Sequence, residues 1–273
     1  MWILYLLCGI LAPVALIWFM IAPRRKRDMA PFDRTLYAHR GLHDNDGRPE
    51  NSLAAFKAAK EAGYGVELDV RFTADKQVVV FHDDTLLRMC GDNRRVDACT
   101  YEELQQLCLL NSQERIPLFT DVLNELGDTP ILCEIKPMRS YIDTSLCEQA
   151  HKILEEHKAQ YCMESFNPYS VRWFRKNAPQ VVRGILSKRY SRGEVKPNAI
   201  RPFLTALMAN CLCRPDFVAY QHTDSAQPFL RLCRRMGAKT IAWTVRSEQE
   251  QESAKLHFDT VIFEGYTPIS DGK

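Results

Sequence analysis

Two carboxylates interrupt an otherwise apolar stretch at residues 65–73, GVELDVRFT. Val66, Leu68, Val70 and Phe72 suit a pleated, buried strand. Side chains alternate faces along a strand, so Glu67, Asp69 and Arg71 share the face opposite the apolar set. Adjacent anions are costly to desolvate unless something positive lies between them. A second apolar run, ILCEIK, carries Glu134 and Lys136 two apart and therefore on one face. His39 and Arg40 end the run TLYAHR, and His82 and Asp83 end QVVVFHD; Asn167, His222, Trp243 and Glu264 fall near the ends of later runs.

Taken singly, each has a structural account. Arg71 can neutralise Glu67 and Asp69, Glu134 can pair with Lys136, and Trp243 can be plain core. His43, His151, His157 and His257 fall in loops or helices and are read as structural. Taken together, three inward carboxylates exceed what the nearby cations neutralise, which leaves room for a divalent ion. Oxygen ligands without His or Cys favour Mg²⁺ or Ca²⁺. With Glu67, Asp69 and Glu134 as ligands the charge is −1, and Arg40 and Lys136 bring it to about +1, the complement of a monoanionic phosphodiester.

The elements that must position these residues alternate from residue 35 onward. Eight main strands, each but the last followed by a helical segment, imply a parallel sheet, and eight units suggest a closed TIM barrel. An insertion at about residues 74–115 follows the second strand. An open doubly wound sheet is the competing architecture, but no glycine-rich phosphate loop follows the first strand. The first helix should begin at NSLAAF, with Asn51 or Ser52 as cap; Asn51 could instead support the metal's ligands, and capping is the favoured role for it. Glu50 is left open between supporting the metal's ligands and capping the helix.

The 273-residue length suits one barrel, and a net charge of +2 gives no reason to expect a nucleic-acid partner. The ten cysteines sit mostly singly in apolar contexts, and Cys211 with Cys213 lacks a zinc-ligand pattern. They are read as reduced, which implies a reducing compartment. Residues 2–22 carry no charge and are followed by PRRKR. That order is the reverse of a cleaved signal peptide. It predicts a single transmembrane helix, a basic juxtamembrane linker at 23–34 with Arg24 in its cluster, and a cytoplasmic domain at 35–270.

At these residues the sequence resembles the glycerophosphodiester phosphodiesterase family, through AHRG (38–41), PENSLAAF (49–56), VELDVRFTAD (66–75), VVFHDDTLLR (79–88), LCEIKP (132–137), ESFNP (164–168) and AWTVR (242–246). The resemblance implies a TIM barrel with a small insertion and divalent-metal-dependent hydrolysis of glycerophosphodiesters to glycerol 3-phosphate and an alcohol. Carried over by motif position, it makes His39 and His82 the acid/base pair. Glu67, Asp69 and Glu134 are then the metal ligands, and Arg40 and Lys136 the phosphate contacts. Trp243 is expected to wall the substrate pocket. One departure lies at the last strand, where IFEGYTP replaces the family's usual Thr-Asp or Thr-Asn pair; Glu264 is the candidate substitute. Residues 189–215 carry no assignable motif. Two alternatives stand beside this expectation: a lysophospholipase D-like activity on lysolipids near the membrane, and a catalytically silent membrane-bound lipid or phosphate sensor. The oligomeric state is not legible.

Overall fold

Short strands with one apolar face and one mixed face roll up so that both faces are covered. In the computed structural model, which describes residues 2–24, 28–30 and 32–268 without the side chains of residues 3–8 and 10, nine strands are present. They are β1 (Tyr37–Ala38), β2 (Gly65–Phe72), β3 (Val78–Val80), β4 (Ile131–Ile135), β5 (Tyr161–Ser165), β6 (Arg183–Ser187), β7 (Phe217–Gln221), β8 (Lys239–Val245) and β9 (Thr260–Phe263). All but β3 pair in parallel in the order β1-β2-β4-β5-β6-β7-β8-β9, and β9 returns to β1. The result is the expected closed eight-stranded barrel, with helical segments in the connections. β3 pairs antiparallel with β2 outside the ring. The insertion it opens has its own small core of Val79, Phe81, Leu86, Met89, Val96, Leu104 and Ile116.

The period-2 pattern sorts two cores. Outward-facing Val66, Leu68, Val70, Cys133 and Ile135 pack against helix residues such as Phe56, Val122 and Leu154. Inward-facing Tyr37, Leu132, Cys162, Leu186, Phe217, Ala219, Ile241 and Ile262 fill the barrel. Gly184 makes room there, because a Cβ at that position would lie 2.0 Å from the Phe217 ring. Met29 and Phe32, from the segment expected to be a basic linker, join the inner cluster, and the Tyr37 hydroxyl donates to the Phe32 carbonyl at 3.1 Å.

The apolar N-terminus is helical over Trp2–Ile21, 20 residues. Among the described residues no helix is long and apolar enough to cross a membrane, so the fold alone does not show the expected span. Part of that apolar run, residues 3–8 and 10, is without described side chains. The end of the helix is seated on the domain. Ile21 is fully buried, and its carbonyl accepts from Asn210 Nδ2 at 2.9 Å. Arg214 Nη1 donates to the Phe19 and Ala22 carbonyls at 2.7 and 2.8 Å, and the Arg24 amide donates to Pro215 O at 2.8 Å. Asn210, Arg214 and Pro215 precede β7, so the helix meets the barrel at the amino ends of its strands.

Candidate active site

Parallel register brings the inward carboxylates level with one another. Asp69 on β2 lies opposite Glu134 on β4, which lies opposite Glu164 on β5. Glu67 sits on the same face of β2, two residues earlier. All four are buried. One oxygen from each of Glu67, Asp69 and Glu134 lies within 4.8 Å of the others.

Backbone bonds past the strand ends carry the remaining groups onto the carboxyl-end rim. The His39 amide donates to Phe263 O, the Glu264 amide to Val245 O, and the Lys136 amide to Val70 O. Lys136 Nζ lies 2.7 Å from both Asp69 Oδ1 and Glu134 Oε2. Arg40 and Gly41 turn the chain with positive φ of 55° and 81°. A Cβ on Gly41 would fall 2.8 Å from the Ala55 carbonyl carbon, so glycine is needed there for both reasons. This turn points the Arg40 amide at Glu67 Oε2, 3.0 Å away. The Arg40 guanidinium bonds Glu50 at 2.7 Å, and its Nε lies 3.5 Å from Asp69. Arg88 ties Glu50 to Asp83.

Both rim histidines are held in the same way. His39 Nδ1 lies 2.7 Å from Glu264 Oε2, and His82 Nδ1 lies 2.6 Å from Asp83 Oδ1. An ionised carboxylate only accepts, so in each neutral ring Nδ1 carries the proton and Nε2 keeps a free lone pair. Burial pushes His39 down to about 4, against the raising influence of the Glu264 hydrogen bond. That bond to His39 holds Glu264 near 2, against its partial burial. Burial and the charges on Asp69, Glu134 and Glu164 drive Glu67 well above the usual carboxylate range. Burial acts the same way on Asp69, but Lys136, His82 and Arg40 outweigh it and hold that group well below.

These residues fit a hard divalent cation. The donors are all carboxylates, and like-charge repulsion keeps Glu67 from ionising freely. Glu134 Oε1 is buried without a hydrogen-bond partner, as is the neighbouring Asn51 Oδ1.

The eight residues expected at the site divide by role. Glu67, Asp69, Glu134, Lys136 and Arg40 form one connected cluster, and the Arg40 turn places His39 beside it. His82 is close enough for its charge to act on Asp69. Trp243 on β8 stands edge-on to Phe166, ring centroids 5.6 Å apart, with its Nε1 buried and unpartnered. Arg71 does not neutralise Glu67 and Asp69: its guanidinium bonds Asp84 at 2.7 Å and the His82 carbonyl at 2.6 and 2.9 Å. Ser52, not Asn51, caps the first barrel helix by accepting from the Ala55 amide at 3.2 Å. Asn51, in a left-handed conformation at φ 56°, instead donates through Nδ2 to Asp69 Oδ2 at 2.8 Å. Asn167 caps the helix Pro168–Asn177, and His222 faces Glu250 at 3.5 Å.

Glu164 is the carboxylate that the sequence reading passed over. It lies at the same strand parity as Glu134, and that was its available signal. Glu50 and Glu264 hold Arg40 and His39, contacts that no local pattern announces, whereas Asp83 holds the His82 beside it in sequence.

A model of the Glycerophosphoryl diester phosphodiesterase family matches residues 39–264. The chain is 31% identical over 236 residues to the glycerophosphodiester phosphodiesterase of Caldanaerobacter subterraneus subsp. tengcongensis, covering 82% of this chain and 91% of that protein. Among solved structures it is similar to an Oleispira antarctica phosphodiesterase in complex with the product sn-glycerol-3-phosphate, with TM-score 0.67 and 23% identity over 84% of this chain and 92% of the other. It is also similar to the Thermotoga maritima glycerophosphodiester phosphodiesterase, with TM-score 0.63 and 24% identity over 84% and 93% of the two chains. A barrel carrying buried carboxylates and two tethered imidazoles at its rim, matched along most of its length by that family, is a phosphoric diester hydrolase, and the chain belongs to the glycerophosphodiester phosphodiesterase family.

Proposed function

We propose that the protein hydrolyses glycerophosphodiesters to glycerol 3-phosphate and an alcohol, with His39 and His82 moving the protons. The observation that carries this reading is the pair of imidazoles, each tied through Nδ1 to a carboxylate, beside one buried carboxylate cluster. His39, held low by burial, is neutral at pH 7 and suits the base: Nε2 takes the proton of the attacking hydroxyl, from water or the substrate's own glycerol 2-hydroxyl. His82, entering the step as the imidazolium beside Asp83, gives its Nε2 proton to the departing alkoxide; on the 2-hydroxyl route the cyclic phosphate so formed is then opened by water with the two imidazoles exchanging roles. Glu67, Asp69 and Glu134 hold one divalent cation, Mg²⁺ or Ca²⁺, which supplies charge stabilisation for the phosphoryl oxygens. Arg40 and Lys136 add fixed positive charge for the phosphate. Trp243 and Phe166 make an apolar wall for the alcohol or glycerol part.

The test is release of glycerol 3-phosphate from glycerophosphocholine and glycerophosphoethanolamine by the full chain, with Mg²⁺ or Ca²⁺, with EDTA, and beside His39→Ala. Chelator-sensitive release that falls about 10²–10⁴-fold in the variant is the expected result. Release indifferent to EDTA, or kept by the variant, would refute the roles assigned here.

The N-terminal helix is assigned to a bilayer span, with the barrel on the cytoplasmic side. Its 20 residues reach about 30 Å at helical rise, its side chains from 11 to 16 are exposed, and a basic cluster follows. The helix joins the amino ends of the strands, whereas the carboxylates and histidines sit toward the carboxyl ends. The mouth then faces away from the bilayer, which favours water-soluble diesters over lysolipids. Carbonate extraction of membranes bearing the full chain tests the span: a chain released with peripheral proteins would sink it.

A further inference from the structure

A cavity of about 670 Å³ lies where the N-terminal helix meets the barrel, well away from the carboxylate cluster. One wall is apolar and comes from Ala15, Trp18 and Phe19 of the helix. The other brings together Arg24, Arg175, Arg183 and Arg214, and among the described residues no carboxylate lines the space. Behind it the buried Asp216 is the one nearby counter-charge among the described ion pairs, 3.6 Å from Arg24 and 3.7 Å from Arg183.

Three of these arginines are aimed by neutral oxygens, which orient a guanidinium without discharging it. Arg24 Nη1 donates to Pro179 O at 3.1 Å, Arg175 Nη1 to Leu212 O at 3.2 Å, and Arg214 Nη1 to the Phe19 and Ala22 carbonyls. Arg214 also stacks on Phe19, its Cζ 4.5 Å from the ring centroid. A planar, weakly hydrated cation with several donors is suited to phosphate, and four of them against one carboxylate leave a surplus of positive charge. Neither half of the cavity serves the hydrolysis: the mouth is at the other end of the barrel.

We propose that this cavity binds one anionic phospholipid of the bilayer, its phosphate among Arg24, Arg175 and Arg214 and its acyl chains along Ala15, Trp18 and Phe19. A soluble phosphate would use the arginines but leave the apolar wall unemployed, which is why the lipid is the occupant chosen. Such basic sites at the cytoplasmic edge of a span attract anionic headgroups. The assignment rests on the proposed span. A bound lipid would fix the angle at which the barrel stands on the membrane and hold the catalytic mouth toward water.

The test uses the full chain, floated on vesicles of phosphatidylcholine alone or with phosphatidylglycerol, followed by native mass spectrometry of the retained lipid. The expected result is about a tenfold preference for phosphatidylglycerol over phosphatidylcholine in the retained lipid, lost in the Arg24→Ala/Arg175→Ala double variant and kept in the Arg24→Lys/Arg175→Lys one. Hydrolysis of glycerophosphocholine, unchanged within about twofold, certifies that the variants fold. Equal retention of both lipids by a chain that still floats would overturn the lipid site and leave the span standing. A chain that floats with neither vesicle would overturn both. Displacement of phosphatidylglycerol by millimolar inorganic phosphate would move the occupant from the bilayer to solution and refute the lipid assignment.

Discussion

At the scale of single residues the site is governed by which charges are buried together. His39 titrates near 4 because burial outweighs the Glu264 bond that raises it. Glu264→Gln removes that raising influence, so the acid-side inflection of kcat/KM assigned to His39 should move to lower pH. The rate should also fall about tenfold, because Nδ1 loses the partner that orients the ring. An inflection that stays put or rises would show that Glu264 does not hold His39. The same shift is a stability statement. With a folded value near 4 and an unfolded one of about 6.5, the unfolded chain binds the extra proton between those limits. Stability is therefore full above pH 6.5 and lost as pH falls toward 4, by up to about 3 kcal/mol. Chelator-treated protein should show this slope in urea melts, and His39→Gln should flatten it.

At the scale of elements, the loop from β1 into the first barrel helix does most of the positioning. Its left-handed residues Arg40, Gly41 and Asn51 aim one amide at Glu67 and one side-chain amide at Asp69. Gly41→Ala meets both a positive φ and the Ala55 backbone at 2.8 Å. It should cost about 1–3 kcal/mol and depress activity more than stability, read by thermal melts beside initial rates. Asn51→Ala keeps the Ser52 cap, so the fold should survive. Divalent-ion affinity, measured by calorimetry, should drop about 10–100-fold because Asp69 loses its orienting donor. Unchanged affinity would return Asn51 to a purely local role.

Across the whole molecule, a barrel that gathers Glu67, Asp69, Glu134 and Glu164 in its interior holds charge at the expense of stability. A cation bound there should raise the melting temperature, by the equivalent of about 2.7 kcal/mol at a hundredfold excess over Kd. Glu67→Gln should melt higher than the parent in EDTA, since it removes a like charge that burial already disfavours, and should lose most of the ion-induced rise. A parent whose melting is indifferent to Mg²⁺ and Ca²⁺ would argue against a metal at these carboxylates.

The period of two in GVELDVRFT and ILCEIK is a local property, and it was enough to place Glu67, Asp69, Glu134 and Lys136 on one inner surface. The alternation of strands and helices was enough for a closed barrel, and the motif stretches for the two histidines. Other contacts depend on closure of the ring. Glu264 reaches His39 across 225 residues only because β9 pairs with β1. Glu164 faces Glu134 only through the β4–β5 register. Arg71 had Glu67 and Asp69 within local reach, and the antiparallel β3 decided the outcome by bringing Asp84 and the His82 carbonyl to it instead. Asn51 and Ser52 are equally good caps by composition, and the turn at Arg40 and Gly41 chose between them. Residue type and spacing determine what chemistry a chain can carry, because faces and charges are set within a few bonds. The partner of each group is decided by tertiary structure, because hydrogen bonds and ion pairs fall off within a few ångströms and only the folded chain sets those distances.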